Sequence, residues 1–433
     1  MPKMVLVSRR VWLNGAFSPA ALFVEDGRIT RIKMGVGDSV SISALPDGFV
    51  CRDFDDMAVF PGFADVHVHF RVPGFSYKET IRTGSMAAAR GGYTAVCTMP
   101  NLHPVPDNLA HLRAQTEIID RDAAVRVVPF GALTVGEKGE VPSDIEGLAP
   151  YVAGFSDDGR GVQDRGMMRE LMQRCKAVGK VISAHCEVND LLHGGVIHDG
   201  DWARAHGIPG ISSESEWRMI ERDLALAAET GCAYHVCHIS TKESVDLIRD
   251  AKKSGVDVTA ETAPHYLTLT DADLRDEGRF KMNPPIRSYE DQDALIAGVC
   301  DGTVDMLATD HAPHSIEEKS RGLRDSLMGV VGLETAFPVV YTRLCLSGIV
   351  PLSRIIEMLT AAPLKRFALG AGAIRAGERA DFTMWDLERL YTVEPDRFAT
   401  MGRATPFAGW TVTGKCVATV ADGKMVWDES EGE

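Results

Sequence analysis

The chain has 433 residues, 45% of them hydrophobic and 25% charged, which is the composition of a folded globular protein. Its 61 acidic residues outnumber 46 basic ones, and the resulting formal net charge of −15 excludes nucleic acid and anionic membrane surfaces as favoured partners. The nine cysteines are scattered and form no C-x-x-C pair, and no apolar run is long enough to cross a bilayer, so we predict a cytoplasmic protein without disulfides.

The two ends of the chain have the same β character. Residues 1–57 contain short alternating apolar stretches separated by Asn14-Gly15 and Asp26-Gly27, which are dipeptides that favour hairpin turns. Residues 366–433 repeat this character, with Asp422-Gly423 at a hairpin position. Such short segments are not expected to be stable separately. We therefore predict that both ends meet in one small β-sandwich beside the main domain.

The central segment, residues 58–365, alternates apolar strands with helices. Eight apolar runs each end in a polar cluster, and most are followed by apolar residues at helical spacing. This rhythm predicts an α/β protein with a parallel (β/α)₈ barrel of TIM type, whose active site lies at the carboxyl ends of the strands. An open parallel sheet could contain the same number of strands and helices, but only a closed barrel brings all the polar strand ends to one place. The runs are residues 59–70, 94–101, 125–133, 151–159, 180–187, 233–240, 257–266 and 304–314.

Side chains that bind metals stand at five of these strand ends. His67 and His69 are separated by one residue, so both imidazoles point to the same side of the first strand, as two ligands of one ion require. A lone histidine at a strand end is more often hydrogen-bonded scaffolding, but histidines and carboxylates at successive strand ends predict a two-metal site with an open position for water. The candidate ligands are His67, His69, Asp157 or Asp158, His185, His238 and Asp310.

The order and spacing of these blocks resemble the dihydroorotases of the amidohydrolase superfamily. The resemblance extends from residue 5 to residue 428 and includes ADFTMWD (380–386) in the predicted C-terminal strands. It rests on PGFADVHVHFRVPGFSYKET (61–80), AAARGGYTAVCTMPN (87–101), GFSDDGRGV (154–162), SAHCE (183–187), VCHIS (236–240), TAPHYL (262–267), FKMNPPIR (280–287), ATDHAPH (308–314) and GVVGLETAFP (329–338).

The resemblance implies a metal-dependent cyclic amidohydrolase that interconverts dihydroorotate and N-carbamoyl-aspartate in pyrimidine biosynthesis. Many relatives bridge their two metals with a carbamylated lysine at the end of the fourth strand. No lysine stands there in this chain, which is similar to the bacterial class with a bridging aspartate. The family spacing assigns that role to Asp158, with Asp157 as the alternative. The implied cofactor is two Zn²⁺ per subunit, or one, held by His67, His69, Asp158, His185, His238 and Asp310.

The resemblance also implies which residues carry out catalysis and select the substrate. Asp310 would be both a metal ligand and the general base that passes a proton to the departing ring nitrogen. Arg71, Asn101 and His314 would bind the ring carboxylate, for which arginine offers a bidentate fork. The alternative for Arg71 is an ordinary surface cation.

The amide edge of the substrate ring is assigned to a different set of groups. Asn283 and the backbone of Met328 and Gly329 would contact this edge, as the resemblance implies. Val72 departs from the glutamate of the family's R-x-P-G block, and residues 320–327 depart from the common loop pattern. Neither departure touches a proposed ligand, but both leave the geometry of the loop around residues 315–330 open.

Two other functions fit part of this pattern. An allantoinase or hydantoinase would share the fold and the metals, but Arg71, Asn101 and the lysine-free fourth strand favour dihydroorotate. A non-catalytic subunit that scaffolds aspartate transcarbamoylase would be expected to lose metal ligands, and this chain keeps all six. We therefore expect a small-molecule substrate and a homodimer, with association with aspartate transcarbamoylase left open.

Overall fold

The structure, a computed structural model, describes residues 3–36, 40 and 45–431. The strands in this part of the chain are β1 (Lys3–Leu13), β2 (Ala16–Glu25), β3 (Arg28–Met34), β4 (Phe49–Asp53), β5 (Ala58–Pro61), β6 (Phe63–Val68), β7 (Tyr93–Thr98), β8 (Arg126–Pro129), β9 (Gly131–Ala132), β10 (Phe155–Ser156), β11 (Ile182–Ala184), β12 (Ile197–His198), β13 (Gly210–Ile211), β14 (Tyr234–Val236), β15 (Val258–Thr262), β16 (Met306–Leu307), β17 (Phe382–Thr392), β18 (Thr411–Ala421) and β19 (Lys424–Asp428).

Helices connect most of these strands. The α-helices are α1 (Ile81–Arg90), α2 (Leu109–Asp122), α3 (Ile145–Leu148), α4 (Arg165–Ala177), α5 (Asp201–His206), α6 (Glu214–Thr230), α7 (Lys242–Lys253), α8 (Pro264–Thr268), α9 (Tyr289–Asp301), α10 (Ile316–Lys319), α11 (Gly322–Asp325), α12 (Ala336–Val340), α13 (Leu352–Leu359) and α14 (Ala361–Arg366). A π-helical turn, Tyr341–Cys345, follows α12. Short 3₁₀ turns are Val135–Glu137, Ala149–Tyr151, Asn189–Leu191, Asp271–Asp273, Gly278–Phe280, Pro395–Arg397 and Glu429–Glu431.

The two ends of the chain form one eight-stranded sheet. Its order is β19-β18-β17-β5-β1-β2-β3, and β4 pairs in parallel with β1. The sheet curls back on itself, because Ile29 N donates to Glu378 O at 3.0 Å and Gly377 N donates to Ile29 O at 2.7 Å. Leu22 and Phe382, from opposite ends of the chain, lie in the apolar core that fills this curl. The predicted meeting of the two ends is confirmed, although they form one curled sheet.

The three predicted hairpin dipeptides form tight turns. Asn14, Asp26 and Asp422 have φ values of 51°, 50° and 50°, and the glycine after each also has a positive φ. Two successive positive φ values define the turn type whose twist matches that of antiparallel strands. Asparagine, aspartate and glycine tolerate this conformation, so the turn residues fix the register of these hairpins.

All eight predicted central runs supply strands of a closed parallel barrel. Strands β6, β7 and β8 pair in one sheet, and β9, β10, β11, β14, β15 and β16 pair in another. Phe130 N donates to Thr98 O at 2.9 Å and Ala153 N donates to Pro129 O at 2.9 Å, which joins the two sheets. A parallel bridge between Val68 and His311 closes the ring. The predicted fold class is confirmed.

The terminal sheet includes strand β5 and therefore extends past the predicted domain boundary at residue 57. Strand β5 pairs with β1 and β17, whereas β6 begins two residues after β5 ends and pairs with β7 in the barrel. The divisions at residues 57 and 365 stay predictions.

Helix α6, which precedes β14, is specified by the spacing of its apolar residues and by the glycine at its end. Helix α6 buries Met219, Ile220, Leu224 and Ala227, which are spaced to fall on one face. It ends at Gly231, which has a φ of 66° and donates its N–H to Ala227 O. Glycine adopts this left-handed conformation at no steric cost, so it ends the helix as the sequence predicts.

The cysteines and the helices bear on the predicted environment of the chain. All nine cysteines are free thiols. Among the described residues, no helix combines the length and apolar character that a bilayer crossing requires.

Candidate metal centre and substrate cleft

The six predicted ligands converge at the carboxyl ends of the barrel strands. They form two groups that share Asp158, and within each group the candidate ligand atoms lie within 4.8 Å of one another. Asp310 joins the cluster through Oδ1, which lies 3.1 Å from His69 Nε2 and 3.7 Å from His67 Nε2. The first group is His67, His69 and Asp158, and the second is Asp158, His185 and His238.

Asp158 lies between the two groups of histidines. Its Oδ1 is 3.3 Å from His67 Nε2 and 3.8 Å from His238 Nε2, whereas its Oδ2 is 3.6 Å from His69 Nε2. Burial by itself would raise the pKa of Asp158, but the charges of His67 and His69 hold it well below its usual value. An ionised carboxylate that lies close to histidines of both groups could be shared by two cations.

The neighbouring Asp157 points away from the cluster. Its Oδ1 accepts backbone N–H groups of Leu133 at 2.8 Å and Thr134 at 3.1 Å, and its Oδ2 accepts the Thr134 hydroxyl. Burial raises its pKa to about 7, although these hydrogen bonds oppose the shift. Asp157 therefore holds the third strand end against the fourth.

The polar atoms of the cluster fit a divalent cation. His67 Nε2 and Asp158 Oδ1 are buried, face each other and have no hydrogen-bond partner among the described residues. His185 Nδ1 and His238 Nε2 lie only 3.0 Å apart. Unpaired buried polar atoms are costly, and a cation shared by imidazole and carboxylate ligands would satisfy them. This nitrogen and oxygen donor set suits Zn²⁺.

The thiol beside His67 is a poor alternative ligand. Cys237 lies close to His67 and Glu261, and the three form a further group of potential metal ligands. Burial and the charge of Glu261 raise the pKa of the Cys237 thiol to about 12, and Ser183 Oγ lies 3.1 Å from its Sγ. Cys237 is buried beside Ser183 and does not line the cleft at the other histidines, so we assign it the role of a small buried side chain.

Glu261 is a functional residue that the sequence reasoning missed. It is fully buried behind His67, with Oε1 2.8 Å from His67 Nδ1 and Oε2 3.1 Å from His235 Nε2. Burial would raise its pKa, but hydrogen bonds from His235 and His67 outweigh burial and lower it. A carboxylate behind a metal-binding imidazole fixes the tautomer and leaves Nε2 free for the metal. The sequence marks it only as a glutamate inside the predicted strand run at residues 257–266.

Replacing Glu261 by glutamine should weaken metal binding by about 10–100-fold, because the amide cannot serve as the charged acceptor that orients His67. Competition with a chelator would measure the change in metal affinity. Glu290→Gln is the matched control, because Glu290 is an exposed glutamate of α9. Equal chelator resistance in Glu261→Gln and the parent protein would contradict the role of Glu261.

Two further side chains hold the ligands from the cleft side. Asn101 Oδ1 lies 2.9 Å from His69 Nδ1, and its Nδ2 donates to Asp158 Oδ2 at 3.3 Å. Glu187, which the sequence reasoning also missed, has Oε2 3.5 Å from His185 Nε2 and accepts Asn283 Nδ2 at 2.9 Å. Asn101 thus contacts two ligands, and its predicted contact with a substrate carboxylate stays a prediction.

A cleft of about 230 Å³ opens directly onto the cluster. Every residue predicted to contact substrate lies on its wall, together with five of the six predicted ligands, while His67 lies beneath it. The lining residues are His69, Arg71, Asn101, Asp158, Gly159, His185, His238, Asn283, Asp310, Ala312, His314, Met328 and Gly329.

One corner of this cleft is cationic. Arg71 Nε donates to Pro313 O at 3.2 Å, and its Nη2 lies 3.5 Å from His314 Nε2. Lys78 Nζ donates to His314 Nδ1 at 3.1 Å, so His314 Nε2 carries the proton that is donated to Met328 O at 2.7 Å. Burial and the charges of Arg71 and Lys78 lower the pKa of His314 to about 3. Lys78 is paired with Glu318 Oε1 at 3.0 Å, so Arg71 is the cation that this corner offers to an anionic substrate group.

The loop at residues 315–330 folds into α10 and α11 and is tied to the loop that carries Asn283. Lys319 is buried and its Nζ donates to Lys281 O at 2.9 Å and Leu327 O at 2.7 Å. Gly329 N also donates to Lys281 O, at 3.1 Å. The loop at residues 315–330 is therefore hydrogen-bonded to the loop that carries Asn283 through the carbonyl of Lys281. Val72 is buried in the barrel core and does not line the cleft.

The comparisons with known proteins agree with this geometry. Residues 57–244 match the family model described as dihydro-orotase-like. A dihydroorotase of Bacillus cytotoxicus is 45% identical over 418 residues, which cover 96% of each chain. The chain belongs to the dihydroorotase family. A family member from Geobacillus thermodenitrificans is 45% identical over 427 residues, or 97% of this chain and 99% of the relative.

Solved structures show the same architecture over nearly the full chain. The L-hydantoinase (dihydropyrimidinase) of Arthrobacter aurescens superposes with a TM-score of 0.86 at 25% identity and covers 99% of this dihydroorotase-family chain and 96% of its own. The dihydropyrimidinase of Brevibacillus agri, at 20% identity and a TM-score of 0.82, supports the fold alone. The predicted enzyme class, a metal-dependent cyclic amidohydrolase, is confirmed by this membership.

Proposed function

We propose that this chain catalyses the reversible hydrolysis of dihydroorotate to N-carbamoyl-L-aspartate. The observation that carries the proposal is the cationic corner around Arg71, which opens into the same cleft as the cluster of histidines and aspartates. Dihydroorotate carries a carboxylate on an amide ring, so a site for it needs both features close together. The 45% identity to curated dihydroorotases supports the same substrate.

We infer that the cluster holds two Zn²⁺ ions, with a single ion as the alternative. When bound, these cations would polarise the ring carbonyl and make a water molecule acidic enough to attack near neutral pH. Asp158 lies within reach of both groups of imidazoles and would serve as the shared ligand. The first ion would be held by His67, His69, Asp158 and Asp310, and the second by Asp158, His185 and His238.

The chain's own residues would move the proton and orient the ring. Asp310 lines the cleft and would accept a proton from the attacking water as the new carbon–oxygen bond forms. It would then give that proton to the ring nitrogen as the carbon–nitrogen bond breaks. Arg71 would fix the carboxylate, and Asn283, whose Oδ1 is buried without a partner among the described residues, would accept a ring N–H.

The proposal is tested by metal analysis together with hydrolysis assays on dihydroorotate, hydantoin and allantoin. We expect turnover of dihydroorotate, and Arg71→Met should lower kcat/KM for it by at least about tenfold, because a charged hydrogen bond to the carboxylate is lost. Turnover of hydantoin, which lacks the carboxylate, should not change in this variant.

Arg113→Met is the matched control, because Arg113 is an exposed arginine on α2. A protein that ignored dihydroorotate but opened hydantoin or allantoin would contradict the proposal. So would an Arg71→Met variant with unchanged kcat/KM for dihydroorotate.

We also propose that the chain works as a homodimer in the cytoplasm, and association with aspartate transcarbamoylase stays open. Sedimentation equilibrium on the purified chain, alone and mixed with the transcarbamoylase, would measure both assemblies. A monomer at all concentrations would contradict the dimer.

A further inference from the structure

A second and larger cleft lies where the barrel meets the terminal sheet. Its volume is about 490 Å³, compared with about 230 Å³ for the cleft at the metal centre. The barrel contributes Arg90 at the end of α1 and Glu334 shortly before α12, and the terminal sheet contributes Tyr391, Lys415 and Trp427. None of the proposed ligands or substrate contacts lines it.

One cation of this cleft has no ion-pair partner. Lys415 is half-buried, and its ammonium lies 4.7 Å from the centre of the Tyr391 ring. Among the described residues, no carboxylate forms a salt bridge with it. Burial lowers the pKa of Lys415, although the charges of Glu429 and Glu334 oppose this shift.

The other cations of the cleft are already paired. Arg389 Nη1 lies 2.6 Å from Glu429 Oε2, and Arg397 Nε lies 2.7 Å from Glu394 Oε2. Arg90 Nε lies 3.4 Å from Glu334 Oε2, so each of the three arginines is matched by one carboxylate. The charge of Lys415 therefore remains in excess. Burial raises the pKa of Glu334 to about 7, although the charge of Arg90 opposes this shift.

Two indole donors on the walls of the cleft also lack partners. The Nε1 atoms of Trp385 and Trp427 are buried and have no acceptor among the described residues. Buried N–H groups are almost always hydrogen-bonded in folded proteins, so we expect water or a bound ligand to supply an acceptor to these donors. The Arg90 guanidinium lies 4.9 Å from the centre of the Trp427 ring, which places a further positive charge beside one of these donors.

We propose that this cleft is a second binding site, for a small anion whose carboxylate or phosphate group pairs with Lys415. The anion would neutralise the excess cation and supply an acceptor to the Trp427 indole. The chain as a whole carries a net charge of −15, so a cleft with an excess positive charge is a local exception that favours anions. The proposal concerns residues outside the metal centre and does not depend on the reaction catalysed there.

Calorimetric titration of the metal-loaded protein with inorganic phosphate, and separately with succinate, tests the proposal at constant ionic strength. We expect saturable binding of at least one of the two anions, with the stronger one identifying the preferred group. Lys415→Met should weaken that binding at least tenfold. Lys424→Met is the matched control, because Lys424 is an exposed lysine of β19 that does not line the cleft. Any anion bound at the metal centre contributes equally to both variants.

A second measurement does not depend on how well Lys415→Met folds. In the parent protein labelled with 5-fluorotryptophan, the ¹⁹F resonance that is missing from Trp427→Phe should shift as the anion saturates. Absence of saturable binding, equal affinity in Lys415→Met and Lys424→Met, or an unmoved Trp427 resonance would each overturn the proposal.

Discussion

Asp310→Asn should lower kcat for dihydroorotate hydrolysis by about 10³-fold, because an amide can neither accept the proton of the attacking water nor return it to the leaving nitrogen. The site of Asp310 fits this role, since its Oδ1 lies 3.1 Å from His69 Nε2 and the side chain lines the cleft. Burial would raise the pKa of Asp310, but a hydrogen bond from His69 and the charge of His67 lower it. The carboxylate is thus ionised and able to accept a proton.

The effect on chemistry must be separated from an effect on metal content. Asparagine keeps an oxygen at the same position, so we expect most of the metal to remain and KM to change by less than the rate does. Metal analysis beside the kinetics distinguishes the two effects. Asp293→Asn is the control, since Asp293 is exposed on α9. Activity within a few-fold of the parent protein in Asp310→Asn would remove Asp310 as the base.

Asp158→Asn should abolish measurable activity and lose at least one metal equivalent per chain. Its two oxygens are directed to different histidines, 3.3 Å from His67 Nε2 and 3.6 Å from His69 Nε2, and a neutral amide offers only one oxygen. Because the bridging position contributes to both proposed ions, its loss should be more damaging than the loss of a ligand to one ion. Metal analysis and the dihydroorotate assay measure the two losses together.

Asp157→Asn is the matched comparison, because it makes the same chemical change one residue away. The amide oxygen can still accept the N–H groups of Leu133 and Thr134, and the amide nitrogen can donate to the Thr134 hydroxyl. With its pKa already raised to about 7 by burial, Asp157 loses little when its charge is removed. We expect nearly full metal content and activity. Loss of metal from Asp157→Asn but not from Asp158→Asn would reverse the two assignments.

Much of the architecture is encoded in short stretches of the chain. The hairpins at Asn14, Asp26 and Asp422 form because asparagine, aspartate and glycine tolerate positive φ, which is a property of the turn residues alone. The eight apolar runs specify the barrel, because each is followed by polar residues at a strand end. Once the eight runs form a closed parallel barrel, their polar ends lie together at the same end of the barrel. The location of the candidate site therefore follows from the sequence and the closure of the barrel.

The supporting contacts of the site were decided only by the tertiary structure. Asp157 and Asp158 are adjacent and chemically identical, and the pairing of Ser156 with Ala132 places Asp157 against the N–H groups of the third strand end. Glu261 reaches His67 from a strand 194 residues away, so no local pattern marks it as a partner of the first strand. Turn chemistry and periodicity act between near neighbours in the chain, whereas the direction and charge of a buried carboxylate depend on donors that only folding brings together.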